Sequence, residues 1–218
     1  MALNKTKGNM YPWVTHTWNP IKGKCPHDCS YCYMKRFPQG ELRLDEKALK
    51  DNLGESNFIF VGSSCDMFAK EIPTEWIKRV LTYCLKYSDN KYLFQTKNPQ
   101  RMYWFYTHSW FPTNSIFGTT IETNRPYKLS KAPDKIQRAR WLSKFKNTMC
   151  SVEPIMDFDT LILLNWIKQI NPEFISIGAD SKNHNLPEPS PEKVNDLIKE
   201  LKKFTKVKVK DNLKRLLK

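Results

Sequence analysis

The sequence has no apolar run long enough to cross a membrane. Stretches such as residues 161–164 are far shorter than the roughly 20 residues that a spanning helix needs. No apolar stretch follows Lys5 and Lys7 at the N-terminus, so we expect no export signal. Cysteines in a chain without such a signal are poor candidates for disulfides. These absences predict a cytoplasmic protein without a membrane partner.

Glycine is scarce, and nothing in the sequence resembles a linker. The chain has 7 glycines, and its 14 prolines are spread over short connections rather than clustered. It contains no internal repeat and no low-complexity block. A chain of 218 residues is long enough to bury a substantial core. We therefore predict a single domain over residues 1–218, which includes the basic segment 199–218.

Acidic residues are few relative to basic ones. The chain has 22 Asp and Glu against 36 Lys and Arg, which gives a net charge of +14. Residues 199–218 alone hold nine basic and two acidic residues, so half of the excess lies there. Such a surplus is typical of proteins that bind nucleic acid or another polyanion. A solvated helix face would give the same composition, and the dominance of lysine weakens the argument for base-specific contacts.

Three of the six cysteines lie within eight residues, in the segment Cys25-Pro-His-Asp-Cys29-Ser-Tyr-Cys32. The spacing is C-x3-C-x2-C. Three thiolates on a tight loop can face one soft metal centre. A closed zinc site and a fully protein-ligated cluster each need four ligands. Three thiolates therefore suit a [4Fe–4S] cluster that keeps one iron open for another ligand.

A zinc site is the alternative interpretation of this loop. His16 or His27 would supply the fourth ligand. Zinc sites usually pair two C-x2-C turns from separate segments, and the sequence has no second C-x2-C or C-x2-H turn. The spacing favours the iron–sulfur interpretation and leaves zinc as the alternative.

Short β-rich runs alternate with helical stretches, which is the pattern of βα units and a parallel sheet. The predicted strands cover residues 16–18, 57–61, 91–95, 115–121, 147–152 and 173–177. The predicted helices cover residues 74–85, 100–108, 134–145, 159–170 and 191–204. A short run at 206–210 follows. The fold class is therefore α/β, a partial (β/α)6 TIM-like barrel with a mostly parallel sheet and its ligands at the carboxyl ends of the strands.

The cysteine loop resembles the cluster-binding loop of the radical S-adenosylmethionine (radical SAM) superfamily, whose members generally share the partial barrel. The chain is most similar to uncharacterised phage and prophage radical SAM-like proteins related to spore photoproduct lyase-like enzymes. The segments that carry this likeness are 18–20, 25–33, 94–99 and 151–154. The resemblance implies that Cys25, Cys29 and Cys32 bind a [4Fe–4S] cluster whose open iron chelates S-adenosyl-L-methionine (SAM).

The resemblance also implies a reaction. SAM would be cleaved reductively to a 5′-deoxyadenosyl radical, which abstracts hydrogen from a substrate. An external one-electron reductant of the flavodoxin or ferredoxin type is an expected partner. Together with the basic charge, the resemblance favours DNA, RNA or a nucleotide as substrate, in a modification or repair reaction. A small metabolite or peptide is the alternative substrate, and a non-catalytic, zinc-containing nucleic-acid-binding module is the alternative function.

The family likeness implies several contacts to SAM. Tyr31 is expected near the adenine. Residues 62–66 take the place of the family's Gly-Gly-Glu motif and depart from it. Ser63, Ser64 and Asp66 are the expected partners of the SAM amino group there. Lys97 is expected to meet the SAM carboxylate or a substrate phosphate, and a solvated loop lysine is the alternative.

Further contacts are implied after the later strands. Glu122 and Glu153 are expected to bind the ribose hydroxyls, and Glu153 is favoured because Pro154 restricts the chain beside it. Glu122 has an equal alternative, as an acidic residue at a helix N-terminus or on the surface. Ile177 and Gly178 resemble the family's adenine-binding motif, although a buried parallel strand would give the same letters.

Two other features are open to two interpretations. Cys65 falls at the predicted barrel mouth and is the candidate hydrogen donor to a substrate radical, although free cysteine is commonly a small buried hydrophobe. Tyr103, Trp104, Tyr106 and Trp110 lie on or beside one predicted helix, near cations. We predict that these rings pack in the core, and stacking on unpaired bases is the alternative.

Overall fold

The structure is a computed structural model that describes residues 3–217. Its strands within that range are β1 (Leu3–Lys5), β2 (His16–Trp18), β3 (Ile21–Lys22), β4 (Arg43–Leu44), β5 (Phe58–Val61), β6 (Lys91–Gln95), β7 (Ser115–Thr120), β8 (Thr148–Val152), β9 (Phe174–Ile177) and β10 (Lys206–Val209). Its α-helices there are α1 (Thr74–Leu85), α2 (Pro99–Thr107), α3 (Lys135–Leu142), α4 (Thr160–Ile170) and α5 (Pro191–Leu201). Short 3-10 helices cover Tyr33–Arg36, Ala48–Lys50 and Asp211–Leu216.

One eight-stranded sheet organises the protein. Its strand order is β1-β2-β5-β6-β7-β8-β9-β10. All neighbours from β2 to β10 are parallel, and β1 runs antiparallel to β2. This architecture confirms the predicted α/β fold with a mostly parallel partial barrel. That residues 1–218 act as a single domain stays a prediction.

The structure adds elements that the sequence pattern does not predict. β10 pairs in parallel with β9, so the short run after the last helix is a seventh parallel strand. It alternates Lys and Val, which is typical of an edge strand whose charges discourage pairing with another chain. The crossover from β2 to β5 contains the hairpin β3–β4 and two 3-10 helices in place of an α-helix. The first predicted βα unit therefore carries the cysteine loop instead of a helix.

The two faces of the sheet pack in separate cores, because alternate strand residues point to opposite faces. On one face, Ile59, Phe94 and Val152 pack among the residues of the helices. On the other face, a smaller cluster packs under Tyr11 and Val14 of the N-terminal segment. Along three strands, this inner face changes from apolar to polar toward the carboxyl end. Leu93, Ile116 and Met149 belong to the apolar cluster, and Gln95, Thr120 and Ser151 follow them on the same strands and line the polar opening. The N-terminal segment therefore fills one end of the barrel and leaves a polar opening at the carboxyl ends of the strands.

The basic C-terminal segment is built into the fold. Several of its cations form ion pairs, namely Lys203–Glu200, Lys210–Glu153, Lys214–Asp211 and Arg215–Glu188. Part of the local charge excess is therefore matched within the chain, which weakens this segment as a surface for a polyanion. Across residues 3–217, no helix combines the length and the apolar character that crossing a bilayer requires.

Candidate functional site

A cavity of about 530 Å³ opens at the carboxyl ends of the parallel strands. Strand ends contribute polar side chains to its wall, including Gln95, Thr96, Lys97, Thr120, Ser151 and Glu153. Cys25, Cys29 and Cys32 line the same cavity, and their thiols are free. The fold therefore brings the cysteine loop together with residues that lie up to 185 positions away in the sequence, from Cys25 to Lys210.

Backbone hydrogen bonds hold the cysteine loop in place. Asp28 has a φ of 46°, a left-handed conformation that short polar residues tolerate. The Ser30 amide donates to the Leu129 carbonyl at 2.8 Å, and the Lys131 amide donates to the His27 carbonyl at 2.8 Å. These bonds attach the loop to the segment that precedes α3, so its position depends on contacts distant in sequence.

The structure gives no support to the zinc alternative. Within residues 3–217, no three His, Cys, Asp or Glu side chains converge closely enough to hold one metal ion. His16 lies at the amino end of β2, away from the cavity. The His27 ring faces Asp66 instead, with 3.0 Å between Nε2 and Oδ2.

The donor set fits an iron–sulfur cluster better than a single ion. In a cluster, separate thiolates bind separate irons, so the sulfur atoms need not converge on one point. Cys29 is buried, whereas Cys25 and Cys32 are half-buried at the cavity wall. Three free thiols that open to one cavity match that requirement, and they are the residues that would hold the cluster.

Asp66 organises the turn that follows β5. Burial disfavours its charged form, but the nearby His27 ring and hydrogen bonds from Lys97 N at 2.8 Å and Thr96 Oγ1 at 2.9 Å lower its pKa to about 2. Its other oxygen, Oδ1, accepts from Phe68 N at 3.0 Å. Asp66 is therefore an ionised carboxylate on the cavity wall with a clear structural role. Its contact with the SAM amino group stays a prediction.

Ser63 and Ser64 also line the cavity, next to Asp66. Asn19 holds both of them, since its Oδ1 accepts from Ser63 Oγ at 3.1 Å and from Ser64 N at 2.9 Å. Gly62 precedes them with a φ of 77°, a conformation that favours glycine. Asn19, in segment 18–20, therefore positions the turn that follows β5.

Cys65 lies in the cavity wall and contacts Cys25. A hydrogen bond between the two thiols lowers the pKa of Cys25 and raises that of Cys65, and burial adds to the rise. The structure brings Cys65 to the predicted cluster loop, and its role as a hydrogen donor to substrate stays a prediction.

Tyr31 is anchored by a buried charge cluster. Its hydroxyl donates to Glu122 Oε1, and Arg138 NH1 lies 3.2 and 3.1 Å from the two oxygens of Glu122. Lys97 Nζ is 3.8 Å from Glu122 and 5.5 Å from the centre of the Tyr31 ring. In the described chain, Tyr31 and Lys97 line the cavity, whereas Glu122 lies behind them. The structure thus shows Glu122 holding Tyr31, and its ribose contact stays a prediction.

Glu153 lies on the cavity wall at the end of β8, held by a lysine that sequence reasoning missed. Lys210 Nζ lies 2.9 Å from its carboxylate and also donates to the Asn9 carbonyl. Gly178 provides space for the same carboxylate, since a Cβ at that position would lie 2.7 Å from Glu153 Cδ. The structure therefore supports Glu153 from β9 and from the segment after β10.

Ile177 and Gly178 lie beside the cavity rather than on the wall that the described residues form. The Ile177 side chain is buried in the main core on the helix face. Its carbonyl accepts from Lys210 N at 2.9 Å, and the Gly178 carbonyl accepts from Ile155 N at 2.8 Å. The predicted contact of this backbone with adenine stays a prediction.

Two further polar groups of the cavity were not singled out from the sequence. The Tyr11 hydroxyl lies 2.9 Å from Gln95 Oε1 and 3.0 Å from Ser151 Oγ. His184 Nδ1 lies 2.6 Å from Asp180 Oδ1, and both side chains line the cavity. Tyr11 carries no local signal, because the N-terminal segment reaches the barrel interior only in the folded chain.

The aromatic side chains on and beside α2 mostly pack against other rings, which agrees with the predicted core packing. Tyr103 stacks against Tyr106 and contacts Phe145, with ring centres 5.8 and 5.2 Å apart. Trp104 is 45% exposed on the outside of the barrel, where it stacks on His108. These rings lie outside the cavity wall formed by the described residues.

Tyr31→Phe is expected to lower the free energy of unfolding by about 1.5–3 kcal/mol, because it removes a hydrogen bond to a buried carboxylate. The matched control is Tyr33→Phe, which removes a hydrogen bond from an exposed tyrosine to the Ser63 carbonyl at 3.1 Å. Urea unfolding of both variants measures the difference. Equal losses would show that the contact of Tyr31 with Glu122 contributes nothing particular.

The model of a family described as "Protein of unknown function (DUF5131)" matches residues 9–171, a range that contains the cysteine loop, Asp66 and Glu153. A search of curated proteins finds no match.

Solved structures of spore photoproduct lyase share this fold. A mutant of the lyase with bound AdoMet and dinucleoside spore photoproduct aligns with a TM-score of 0.65 at 11% identity, over 93% of this chain and 78% of that chain. The lyase complexed with dinucleoside spore photoproduct gives a TM-score of 0.64 at 11% identity, over 93% and 78%. A cysteine-to-serine mutant gives 0.66 at 11% identity, over 94% and 79%. At this identity the likeness shows the fold, which is the partial barrel described above.

Proposed function

We propose that this chain, which belongs to the DUF5131 family of proteins of unknown function, is a radical SAM enzyme that modifies or repairs nucleic acid. The observation that carries the proposal is the meeting of the C-x3-C-x2-C loop with the polar strand ends at one cavity. The likeness in fold to a lyase solved with AdoMet and a dinucleoside supports it. Cys25, Cys29 and Cys32 would hold a [4Fe–4S] cluster, and SAM would occupy the adjoining cavity.

When bound and reduced by a flavodoxin- or ferredoxin-like partner, the cluster and SAM supply a carbon radical that removes hydrogen from a substrate. The chain's own residues bind and orient. Asp66 keeps its charge at neutral pH because its pKa is about 2, so it can pair with the SAM ammonium. Lys97 offers a cation to the SAM carboxylate on the same wall.

Glu122 and Glu153 have different roles in this proposal, because Glu153 lies on the cavity wall and Glu122 lies behind it. Glu122 fixes Tyr31 against the cavity, so that the ring can pack on the adenine. Glu153, steadied by Lys210, can accept from the ribose hydroxyls. Cys65 would donate hydrogen to the substrate from a position beside Cys25. The apolar cluster under Tyr11 closes the other end of the barrel and excludes water from below.

A cytoplasmic location belongs to the same proposal. An oxygen-sensitive cluster and a soluble one-electron reductant both favour a reducing compartment, where thiols stay free. The free state of all six cysteines agrees with that inference.

The proposal is tested by anaerobic reconstitution with iron and sulfide. Wild type is expected to gain about four irons per chain with brown absorbance, and to form 5′-deoxyadenosine from SAM after dithionite is added. A variant with Cys25, Cys29 and Cys32 all changed to Ala is expected to do neither. Cys84→Ala is the matched control, because Cys84 is a buried thiol of the helix-side core. Stoichiometric zinc, no colour and no product from wild type would refute the proposal.

A further inference from the structure

Two aromatic side chains beside the cysteine loop are exposed at the cavity. Tyr33 is 42% exposed and Phe37 is 57% exposed. Tyr33 begins the 3-10 helix Tyr33–Arg36, Phe37 caps it, and both line the cavity. Neither ring contacts another aromatic ring in the described chain, unlike Trp104, which stacks on His108. Rings of this size are costly to expose without a partner, so they mark an interaction surface.

The backbone that carries these rings is braced. The Tyr33 hydroxyl donates to the Ser63 carbonyl at 3.1 Å. Gln39 Nε2 donates to the carbonyls of Met34 at 2.7 Å and Phe37 at 3.2 Å. The rings are therefore carried by a structured turn, and such a surface loses little entropy when it binds a partner.

Three cations share the cavity wall with the two rings. Lys7, Arg36 and Lys182 are exposed and line the same cavity. Within residues 3–217 none of the three has a carboxylate partner, in contrast to several cations of the C-terminal segment. Unmatched positive charge and exposed rings at the same cavity favour a partner that is both aromatic and anionic.

We propose that Tyr33, Phe37, Lys7, Arg36 and Lys182, here called the aromatic rim, bind a single-stranded segment of nucleic acid. An unpaired base stacks on the rings, and the flanking phosphates meet the cations. The inference rests on the proposed function, because it delivers a base to the predicted SAM cavity. It also goes further, since a base inside a duplex is stacked and cannot reach such a cavity.

Fluorescence anisotropy with labelled oligonucleotides tests the aromatic rim, using the full-length chain before and after reconstitution and without reductant. The probes are one sequence as single-stranded DNA, single-stranded RNA and duplex DNA. Wild type is expected to bind at least one single strand more tightly than the duplex, and the DNA and RNA arms identify the sugar preference. Phe37→Leu keeps an apolar side chain and is expected to weaken single-strand binding about ten-fold. Phe37→Trp is expected to retain it.

Matched controls separate stacking and charge from general effects. Trp104→Leu removes a ring that is 45% exposed outside the cavity and is expected to leave the affinity unchanged. Arg36→Gln is expected to reduce the dependence of log Kd on log salt by about 0.7, the value for one phosphate on a single strand. Arg140→Gln, an exposed arginine on α3, is expected to leave that slope unchanged.

Three results would overturn the inference: tighter binding to the duplex, equal losses from Phe37→Leu and Trp104→Leu, or no loss from Phe37→Leu. Its failure is distinguishable from failure of the proposed function. SAM cleavage by wild type with no effect of Phe37→Leu would refute the aromatic rim alone. A specific effect of Phe37→Leu in a protein that does not cleave SAM would support the rim and refute the radical chemistry.

Discussion

Arg138→Met is expected to lower the free energy of unfolding by about 3–5 kcal/mol, the usual cost of leaving one half of a buried ion pair without its partner. Arg138 and Glu122 are both buried, and the guanidinium also donates to the carbonyls of Thr120 at 3.1 Å and Pro133 at 2.7 Å. Without Arg138, the carboxylate keeps the Tyr31 hydroxyl, its own backbone amide and the more distant Lys97 ammonium. The loss follows because none of these contacts replaces the guanidinium, whose NH1 group lies 3.2 and 3.1 Å from the two carboxylate oxygens.

Urea unfolding of the full-length chain, followed by tryptophan fluorescence, measures this cost. Arg140→Met is the matched control on the same helix, since Arg140 is exposed and a surface change of this kind usually costs less than about 0.5 kcal/mol. The double variant Arg138→Met with Glu122→Gln removes both charges and is expected to recover part of the loss. If Arg138→Met costs no more than Arg140→Met, the ion pair does not support the cysteine loop.

The contribution of the Arg138–Glu122 pair to stability is expected to depend on pH. Burial alone would raise the pKa of Glu122, but the charges of Arg138 and Lys97 outweigh it and lower that pKa below the usual value. Because the folded pKa lies below the unfolded value of about 4.3, the contribution of the pair is present above that pH and is lost as pH falls through the folded pKa. The stability difference between wild type and Arg138→Met is expected to shrink below about pH 4. An unchanged difference there would assign the effect to packing.

The fold was predictable because its signals are local. Alternation and buried runs predicted six parallel strands, and helical spacing predicted five helices close to their observed bounds. β1 and β10 are harder to predict, since three residues with one leucine, or alternating Lys and Val, carry little signal alone. Their pairing depends on neighbours that lie elsewhere in the chain.

The site was predictable where a residue's position in a strand or motif decides its role. Asp66 and Lys97 follow strands, and parallel strands bring their carboxyl ends to one edge, which is why both residues line the cavity. Arg138 lay outside this logic, because a helix residue reveals its partner only in three dimensions. The period of a strand also predicts that Ile177 faces away from Ser176, and the structure places Ile177 in the helix-side core.

Lys210→Met is expected to destabilise the protein by about 2–4 kcal/mol, somewhat less than the Arg138 variant. Lys210 is buried, while the Glu153 side chain is 17% exposed at the cavity, so water can replace part of the lost charge. The ammonium also bonds to the Asn9 carbonyl, which links the N-terminal segment to the end of β8. Lys206→Met is the matched control, since Lys206 is an exposed lysine of β10.

The same change separates the structural from the functional role of Glu153. If the role of Glu153 is only structural, Lys210→Met lowers the stability of the protein but not its affinity for SAM. The affinity, measured by calorimetry, is then the same in Lys210→Met and in Lys206→Met. If Glu153 also binds the ribose, Lys210→Met lowers the affinity because the carboxylate loses its fixed position. Glu153→Gln then keeps the shape, removes the charge and lowers the affinity further, since a neutral amide is a weaker acceptor for ribose hydroxyls. Unchanged affinity for SAM in both Lys210→Met and Glu153→Gln would exclude Glu153 from the SAM site. Its role would then be structural, because with Lys210 it links the N-terminal segment to the barrel.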